Sequence, residues 1–349
     1  MKILLIADPH IAVPPIHYGG AERVVALYAQ EFQRLGHTVH LMGGTGSRNF
    51  GGRLYLHRAP SKAYLSRVRR KIQFQLLSLW AARDCDVIYN FGRFDYLETL
   101  LALDKRLLHC FQNPIDQNQV NFAEYRMSSR ASFHCISRNQ HTHAHLTAPS
   151  VIIPNPVDTR AYSIGKGRGA YLAFLGRLTF NKGVDIAIKV AQLTGRKLII
   201  AGNVSKEDGG EQFFHDHVEP YIDGEQIRWI GPVNDDQKQQ LLGDAEALLF
   251  PIRWDEPFGI VMVEALACGT PVIATRRASV PEVIDHGVTG FLCDPEEPSV
   301  EAFSRAVPLL RLIDRVACRQ AAELHFDVRV IAPRVLQVLA QLSHGGPIS

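Results

Sequence analysis

The sequence contains few features of a secreted, membrane-spanning or nucleic-acid-binding protein. Its six cysteines include no C-x-x-C pair and several lie in or beside apolar runs, which predicts reduced, buried thiols in a cytoplasmic protein. No apolar run reaches the roughly 18 residues of a transmembrane helix, and the first run, residues 2–7, is too short for a signal-peptide core. Lys plus Arg number 38 and Asp plus Glu number 35. The resulting net charge of +3 does not indicate a nucleic-acid partner.

What the sequence does contain is a regular alternation of short apolar runs and amphipathic stretches, in a chain that is 46% hydrophobic and 21% charged. The runs predicted to be strands are residues 2–7, 38–42, 87–91, 107–111, 133–137, 151–153, 171–175, 197–201, 227–230, 247–250, 272–274 and 291–293. The predicted helices include residues 21–35, 64–82, 139–146, 184–193, 235–242 and 260–267. This alternation is typical of doubly wound parallel sheets in an α/β protein.

The chain length of 349 residues predicts about two domains. The alternation pauses at residues 154–156 and resumes after residues 165–169, where three glycines and two basic residues indicate a flexible junction. The predicted domains are therefore residues 1–160 and 161–326, each with a Rossmann-like sheet, followed by a helix over residues 327–343. Two such sheets on a linker would bind a ligand in the crevice at their facing strand ends.

The second half of the chain contains two candidate ligand-binding residues, Glu256 and Glu264, which stand eight residues apart. Glu256 lies in a loop that contains Pro257 and Gly259, and Glu264 lies in the predicted helix that follows. Because a helix N-terminus collects unpaired backbone N–H groups, this segment could hold a phosphate with its backbone and sugar hydroxyls with its carboxylates. By spacing alone, an ordinary strand–loop–helix unit with two surface glutamates is an equally good interpretation.

Residues 253–275 read RWDEPFGIVMVEALACGTPVIAT. Their pattern E-P-F-G-x-V-x-x-E-A-x-A-x-G-x-P-V resembles the signature of retaining glycosyltransferases of the GT-B fold, family 4. Four further stretches carry the same resemblance: residues 19–22, 153–158, 174–178 with 182–183, and 281–283 with 289–291. The resemblance implies two Rossmann-like domains facing across a cleft. It also implies transfer of a sugar from a nucleotide-diphospho-sugar donor.

The resemblance also implies roles for individual residues around the donor. Glu256 would bind the transferred sugar and Glu264 the ribose hydroxyls, while Val233 would lie near the base. The backbone N–H groups expected to help hold the phosphates are those of Phe258, Gly259, Ile260 and Val261. Front-face attack would let the leaving phosphate accept the acceptor's proton, so that no dedicated general base is required.

Arg177 and Lys182 follow a predicted buried strand and precede a helix that begins at Gly183, which suits a diphosphate. Two solvated charges are the alternative interpretation of this spacing. The resemblance places both residues on the donor phosphates, where they would stabilise the charge that develops as the glycosidic bond breaks. Because these cations would replace its charge, no metal ion and no other cofactor is expected.

In the first domain, Gly19 and Gly20 precede a helix and follow a strand, so that a backbone can approach a ligand there. No G-x-G-x-x-G pattern follows, which excludes a dinucleotide fingerprint. In the resembled family this loop faces the donor diphosphate. His109 lies near the end of a predicted strand, and on its own it would be interpreted as a hydrogen-bonded core residue. Family members commonly have a histidine near the transferred sugar, so a contact from His109 to a sugar hydroxyl is expected.

Three other features are weaker indications of a functional site. Asp84-Cys85-Asp86 has the D-x-D form of metal-dependent glycosyltransferases, but it precedes a strand instead of ending one. His141, His143 and His145 alternate in a predicted helix, where only the first and last share a face. Lys62, Arg67, Arg69, Arg70 and Lys71 form a basic stretch beside apolar residues. It would be either a solvated helix face or a peripheral docking site for an anionic membrane or acceptor.

The predicted function is therefore metal-independent retaining glycosyl transfer from a nucleotide sugar to an unidentified sugar, lipid-linked or small-molecule acceptor. The residues expected to take part in catalysis are Glu256, His109, Arg177 and Lys182. A sugar-nucleotide epimerase on the same fold and a non-catalytic sugar-nucleotide-binding protein remain alternatives. One departure leaves the donor sugar open: family members often have two glycines where this chain has Ala278-Ser279.

Overall fold

The apolar runs form two separate parallel sheets in the computed structural model. The structure describes residues 1–15, 19–59, 64–92, 97–102, 106–126, 131–206, 209–294, 300–346 and 348. The chain divides into unit 1, Met1–Pro156 with Val328–Ser349, and unit 2, Val157–Asp327. The boundaries expected from the sequence are residues 160 and 326.

Unit 1 contains a seven-stranded sheet in the order β3-β2-β1-β4-β5-β6-β7, and every neighbouring pair is parallel. Its strands are β1 Lys2–Ile6, β2 Thr38–Gly44, β3 Leu54–His57, β4 Val87–Asn90, β5 Leu107–Cys110, β6 Ala131–Cys135 and β7 Ser150–Ile152. The helices between them are α1 Gly20–Arg34, α2 Tyr64–Ala82, α3 Glu98–Ala102, α4 Gln117–Arg126 and α5 Arg138–His143.

Unit 2 contains a six-stranded parallel sheet in the order β10-β9-β8-β11-β12-β13. Its strands are β8 Tyr171–Leu175, β9 Lys197–Ala201, β10 Ile227–Trp229, β11 Ala247–Phe250, β12 Val272–Thr275 and β13 Gly290–Cys293. Its helices are α6 Val184–Thr194, α7 Gly210–His217, α8 Asp235–Asp244, α9 Ile260–Ala267, α10 Val280–Val283, α11 Val300–Ala306 and α12 Arg315–Phe326. The prediction of two doubly wound parallel sheets is confirmed.

The sheets are buried on both faces, as parallel sheets require, because helices cover each side. All four residues of β4, β5 and β11 are buried. The last helix, α13 Val328–Ser343, packs on α1, β4 and β5 of unit 1. Its buried residues Ile331, Val335, Leu339 and Leu342 recur every three or four positions, so that they form one apolar stripe.

Three local differences from the predicted elements have physical causes. The edge strand β3 is not predicted, because its Leu56 is 51% exposed and it lacks a continuous apolar run. Strand β6 begins and ends two residues earlier than predicted, since the Ser137 side chain caps α5 by accepting a hydrogen bond from the Gln140 backbone N–H (3.0 Å). Helix α5 ends at His143, and His145 has a φ of 43° that breaks the helix.

In the part of the chain that the structure describes, no helix combines the length and the apolar character needed to cross a membrane.

Candidate functional site

The candidate donor site lies in unit 2, where the strand order of the sheet reverses between β8 and β11. In doubly wound sheets, ligands bind outside the carboxyl ends of the strands at such a switch point. Arg177 and Lys182 follow β8, and the loop that contains Glu256 follows β11. The fold therefore brings these three sequence-predicted residues to one edge of the sheet.

Glu256 is fixed through one of its two carboxylate oxygens. Lys182 Nζ forms a short ion pair with Oε2, and Trp254 Nε1–H donates to the same oxygen (3.0 Å). Both charged side chains are mostly buried, at 16% exposure for Lys182 and 12% for Glu256. The ammonium of Lys182 also lies over the Trp254 ring, 4.5 Å from its centroid, which adds a cation–π contact.

Glu264 is fixed in the same way by a different lysine and a different aromatic residue. Lys238 Nζ lies 2.5 Å from Oε1, and the Tyr162 hydroxyl donates to that oxygen (2.9 Å). The Lys238 ammonium lies 5.6 Å from the centroid of the Tyr162 ring. The side chains of Lys238 and Glu264 are each only 8% exposed.

The two glutamates thus share one arrangement: a lysine and an aromatic donor hold one oxygen, and the lysine lies over that aromatic ring. Within the described residues, Glu256 Oε1 and Glu264 Oε2 have no hydrogen-bond donor. Each carboxylate is therefore held in one orientation and keeps an oxygen able to accept a ligand hydroxyl.

The loop before α9 is set by backbone geometry and by a second loop. Gly259 has a φ of 80° and directly precedes the helix, where a Cβ would lie 2.7 Å from Met262 Cε. The first backbone N–H groups of α9, those of Ile260 and Val261, have no acceptor inside the helix and form an anion-binding end. Phe258 is buried just before this end and packs edge-on against Phe326.

Residues 277–279 hold the same loop from the other side. Arg277 Nε donates to Asp255 Oδ1 (2.8 Å), and the Ser279 hydroxyl donates to the Glu256 backbone carbonyl (2.7 Å). Ala278 has a φ of 51°, in the left-handed region that glycine adopts more readily. The chain therefore keeps a glycine-like backbone at this departure from the family pattern, and the serine adds a hydrogen bond to the loop.

Arg177 and Lys182 are positioned by tight turns after β8. Arg177 Nε is buried and has no acceptor within the described residues, which suits a bound anion. Lys182 ends a short 3₁₀ helix, and Gly183 begins the next turn with a φ of 74°. A Cβ on Gly183 would lie 1.9 Å from the Pro251 carbonyl oxygen, so only glycine allows the two loops to approach this closely.

Val233 precedes α8, whose N-terminus is closed by a capping box between Asn234 and Gln237. The valine is half-buried and packs against the cluster that includes Tyr171 and Leu241. It lies after β10, two strands away from β8 in the sheet. Its proposed contact with a base stays a prediction.

In unit 1, the predicted residues lie at the start of α1 and near the carboxyl end of β5. Gly19 is the N-cap of α1 and Gly20 is its first residue. His109 is buried in β5, where Asn90 Nδ2–H donates to its Nδ1 (2.6 Å). Burial, and to a smaller extent the nearby His134, lower the pKa of His109 to about 3. The imidazole is therefore neutral near pH 7 and is suited to a hydrogen bond instead of proton transfer.

The weaker features have local partners. Asp84 forms ion pairs with Arg53 (3.2 Å) and Arg83 (3.3 Å), and Asp86 accepts from the Lys2 backbone N–H (2.8 Å). His141 Nε2 lies 3.0 Å from the Ser150 hydroxyl and His143 Nδ1 lies 2.8 Å from the Asn139 carbonyl oxygen, while His145 lies past the end of α5. Of the basic stretch, Lys62 lies outside the described residues, and the other members lie on α2.

Comparison with known proteins identifies the family. Residues 162–322 match the family described as "Glycosyl transferases group 1", and residues 18–161 match "Glycosyltransferase Family 4". The chain belongs to the glycosyltransferases that these two descriptions cover. It is similar to the glycogen synthase of Mycobacterium tuberculosis, with 28% identity over 211 residues, 57% of this chain and 50% of that protein.

Solved structures show the same fold over the whole glycosyltransferase. The sucrose-phosphate synthase of Thermosynechococcus elongatus matches with a TM-score of 0.81 and 17% identity, over 99% of this chain and 100% of the other. Anabaena HepE in complex with UDP-glucose matches with a TM-score of 0.75 and 19% identity, over 98% and 100%. The fold is therefore GT-B, as predicted. The curated relatives are matched over shorter stretches, 32% and 50% of the length of two of them.

Several residues of the candidate site were not predicted. Trp254, Tyr162, Lys238 and Ser279 all contact the two glutamates or their loop. Tyr162 is 102 positions from Glu264, and Lys238 is 26 positions from it, so no local spacing reveals these contacts. Trp254 carries a signal that could have been used, since it stands two residues before Glu256 inside the motif.

Proposed function

We propose that this glycosyltransferase uses a nucleotide-diphospho-sugar, retains the configuration of the transferred sugar and needs no metal ion. The observation that carries the proposal is the repeated arrangement of lysine, aromatic donor and glutamate at the switch point of unit 2. Two carboxylates with fixed orientation and one available oxygen each are suited to two sets of sugar hydroxyls. A nucleotide sugar presents such sets on its ribose and on its transferred sugar.

The position of each glutamate favours one of the two sugars. Glu264 lies in the second turn of α9 and is held by Tyr162 from before β8, which suits the ribose side of the donor. Glu256 lies in the loop just before the anion-binding end of α9 and contacts Lys182. We therefore assign the transferred sugar to Glu256 and the ribose to Glu264. Val233 is assigned to the neighbourhood of the base.

The phosphates are assigned to the space between Arg177, Lys182 and the start of α9. The Arg177 guanidinium has a buried Nε without an acceptor in the described part of the chain. The Lys182 ammonium forms an ion pair with Glu256, and its remaining N–H groups can donate to a phosphate oxygen. Together with the backbone N–H groups of Phe258 to Val261, these donors supply positive charge that a divalent cation would otherwise provide.

In the proposed reaction, the bond between the anomeric carbon and the phosphate oxygen breaks while the acceptor oxygen approaches from the same face. The sugar ring gains positive charge, which the Glu256 carboxylate stabilises, and the leaving diphosphate gains negative charge, which Arg177 and Lys182 stabilise. The acceptor hydroxyl transfers its proton to the leaving phosphate oxygen, and the new glycosidic bond forms on the face from which the phosphate leaves. No protein base takes part.

Two further observations support a nucleotide-sugar donor. The fold neighbour from Anabaena was solved with UDP-glucose, which makes UDP a suitable first probe for this chain. In unit 1, Gly19 and Gly20 lie at the start of α1, and His109 lies near the carboxyl end of β5. Their contacts to phosphate and to a sugar hydroxyl are assigned only from the family resemblance.

The test compares Glu256→Gln with Glu264→Gln, because glutamine keeps the size of the side chain. Isothermal titration with UDP should give near-normal affinity for Glu256→Gln and weakened affinity for Glu264→Gln. Hydrolysis of the sugar nucleotide that binds best should fall by about 10²-fold in kcat for Glu256→Gln, on the scale of a lost electrostatic contact. Glu323→Gln, an exposed glutamate of unit 2, is the matched control.

Three outcomes would contradict the proposal. If Glu256→Gln lost UDP affinity and Glu264→Gln kept it, the two roles would be reversed. If activity were lost in EDTA and restored by Mg²⁺ or Mn²⁺, the assignment of charge to Arg177 and Lys182 would be wrong. If the protein converted its donor to an epimer in the absence of any acceptor, the reaction would be isomerisation.

A further inference from the structure

Helix α2 of unit 1 carries an apolar stripe that is largely exposed within the described structure, with only Trp80 in contact with a ring of another element, Tyr55 of β3. Leu65, Val68, Ile72, Leu76 and Trp80 are 81%, 41%, 54%, 63% and 50% exposed. At 3.6 residues per turn, their spacing of three, four, four and four places them along one side of the helix over about 23 Å. Single exposed apolar residues are ordinary, but five in one row are not.

The opposite side of α2 explains why this stripe faces outward. Phe74, Ser78, Ala81 and Ala82 are buried, and the helix packs on β2, β3 and α3. The Phe74 ring meets His57 edge-on (4.7 Å between centroids). The helix is therefore docked by one apolar face and presents a second apolar face to solvent, an arrangement that the core does not require.

The charged residues of α2, and Arg83 just after it, are all of one sign. Residues 64–83 contain five basic residues and no acidic residue. The rest of the chain has 33 basic and 35 acidic residues, a net charge of −2, so this segment supplies more than the whole positive net charge of the protein. Arg67 and Arg69 are exposed, while Lys71 forms an ion pair with Glu98 (2.8 Å).

The C-terminal end of the stripe has the composition of a membrane interface. The guanidinium of Arg83 lies 5.5 Å from the centroid of the Trp80 ring, and Tyr55 meets the same ring edge-on (5.1 Å). Trp with a neighbouring Arg is favoured at the headgroup level of a bilayer, where the ring body is apolar and both tips are polar. A basic helix with an aliphatic face and a terminal Trp matches an interfacial helix.

We propose that the exposed stripe of α2, from Leu65 to Trp80, docks unit 1 on an anionic lipid surface. The aliphatic side chains enter the acyl boundary, and the exposed Arg67 and Arg69 contact lipid phosphates. A second copy of the chain fits less well, because a symmetric pairing through this stripe would bring the same basic residues together. The proposal is independent of the donor assignment in unit 2.

The test uses the full chain and two kinds of vesicle. The protein should sediment with vesicles of phosphatidylcholine mixed with phosphatidylglycerol and stay in the supernatant with phosphatidylcholine alone, because the basic residues need an anionic surface. Added salt should weaken the binding. Each basic residue near an anionic surface contributes about fivefold to the partition coefficient, so Arg67→Gln with Arg69→Gln should lower it roughly 25-fold.

Matched control variants test whether vesicle binding depends on this stripe or on exposed leucines and arginines anywhere on the protein. Leu65→Gln with Leu76→Gln should lower partitioning by about tenfold or more, since both side chains lose apolar contact with lipid. Leu312→Gln with Leu324→Gln changes two equally exposed leucines of unit 2, each 67% exposed, and should leave partitioning unchanged. Arg228→Gln with Arg311→Gln is the matching control for charge. Affinity for UDP should stay the same in all four variants.

The proposal is overturned if the wild type does not bind the anionic vesicles, or if the stripe variant and the leucine control bind them equally well. It is also overturned if sedimentation-equilibrium measurements give a dimer that becomes a monomer in Leu65→Gln with Leu76→Gln, because a second copy would then cover the stripe. Normal UDP affinity in Glu264→Gln, together with intact vesicle binding, would instead count against the proposed function alone.

Discussion

Glu264→Ala should destabilise unit 2 because it leaves the Lys238 ammonium buried without its carboxylate. The side chains of both residues are 8% exposed, and the remaining partner, Asp235 at 3.2 Å, has a side chain that is 64% exposed. Removing one partner of a buried ion pair costs about 3–5 kcal/mol. Because Asp235 stays close, we expect the lower end, about 3 kcal/mol, which corresponds to a fall in Tm of roughly 6–12 °C for a domain of this size.

The double variant Lys238→Met with Glu264→Leu tests whether the stranded charge is the cause. Replacing a buried ion pair by apolar side chains of similar volume is often neutral. The Tyr162 hydroxyl would lose its acceptor, at a cost of about 1 kcal/mol. The double variant should therefore recover most of the stability that Glu264→Ala loses.

Thermal unfolding followed by circular dichroism measures both variants against a matched control. Glu323→Ala removes a carboxylate that pairs with Arg319 (2.6 Å) but is 46% exposed, so its cost should stay below about 1 kcal/mol. The reasoning is refuted if Glu264→Ala unfolds at the same temperature as Glu323→Ala. It is also refuted if the double variant is as unstable as Glu264→Ala.

The double variant also shows whether a loss of UDP affinity comes from a lost contact or from lost stability. Glu264→Ala could lose UDP affinity either through a missing ribose contact or through a partly unfolded unit 2. A double variant that is as stable as the wild type separates these causes, because any remaining loss of UDP affinity then belongs to the missing carboxylate. Normal UDP affinity in that variant would remove Glu264 from the proposed donor site.

Three further outcomes are expected. Gly183→Ala should unfold unit 2 at a lower temperature in a thermal melt, since its φ is 74° and its Cβ would lie 1.9 Å from a backbone carbonyl oxygen. Ser279→Ala should lower kcat about fivefold with unchanged UDP affinity, the scale of one hydrogen bond that positions Glu256. Burial lowers the pKa of His109 to about 3 and of His134 to about 4, so both rings are neutral in the fold while the unfolded chain protonates them below pH 6.5. Urea unfolding should therefore show the free energy of unfolding of unit 1 falling by up to about 1.4 kcal/mol per pH unit for each ring as the pH falls from 6.5 towards 4. In His109→Gln this free energy should depend less steeply on pH.

The central strands and the motif helix could be predicted from the sequence because their burial is continuous. Strands β8, β9 and β11 and helix α9 have the predicted bounds. A strand covered by helices on both faces is a nearly unbroken apolar run, and Gly269 with Pro271 ends the helix in the sequence itself. The edge strand β3 carries no such signal, since only one of its sides meets another strand.

The contacts of the site could not be predicted, because they depend on which loops meet. The motif supplies both glutamates within one segment, but Lys182 is 74 positions from Glu256 and Tyr162 is 102 positions from Glu264. Only the parallel order of the sheet brings the end of β8 beside the end of β11. The hydrogen bond of Ser279 could not be predicted either. The sequence shows only that a serine stands where family members often have a glycine, and the fold shows that its hydroxyl donates to the Glu256 backbone carbonyl.

The charges of the site explain how carboxylates can stand beside a diphosphate. Three acidic residues of the motif each have a cation: Asp255 has Arg277 (2.8 Å), Glu256 has Lys182 and Glu264 has Lys238. Each pair is neutral overall, so the carboxylates do not repel a phosphate, and the lysines fix the direction of each glutamate. Lys182 still has N–H donors for a phosphate oxygen. Net positive charge then comes from Arg177 and from the end of α9, where about half an elementary charge accumulates. In the proposed site, the lysines therefore let two acidic groups bind sugar hydroxyls next to an anion that they would otherwise repel.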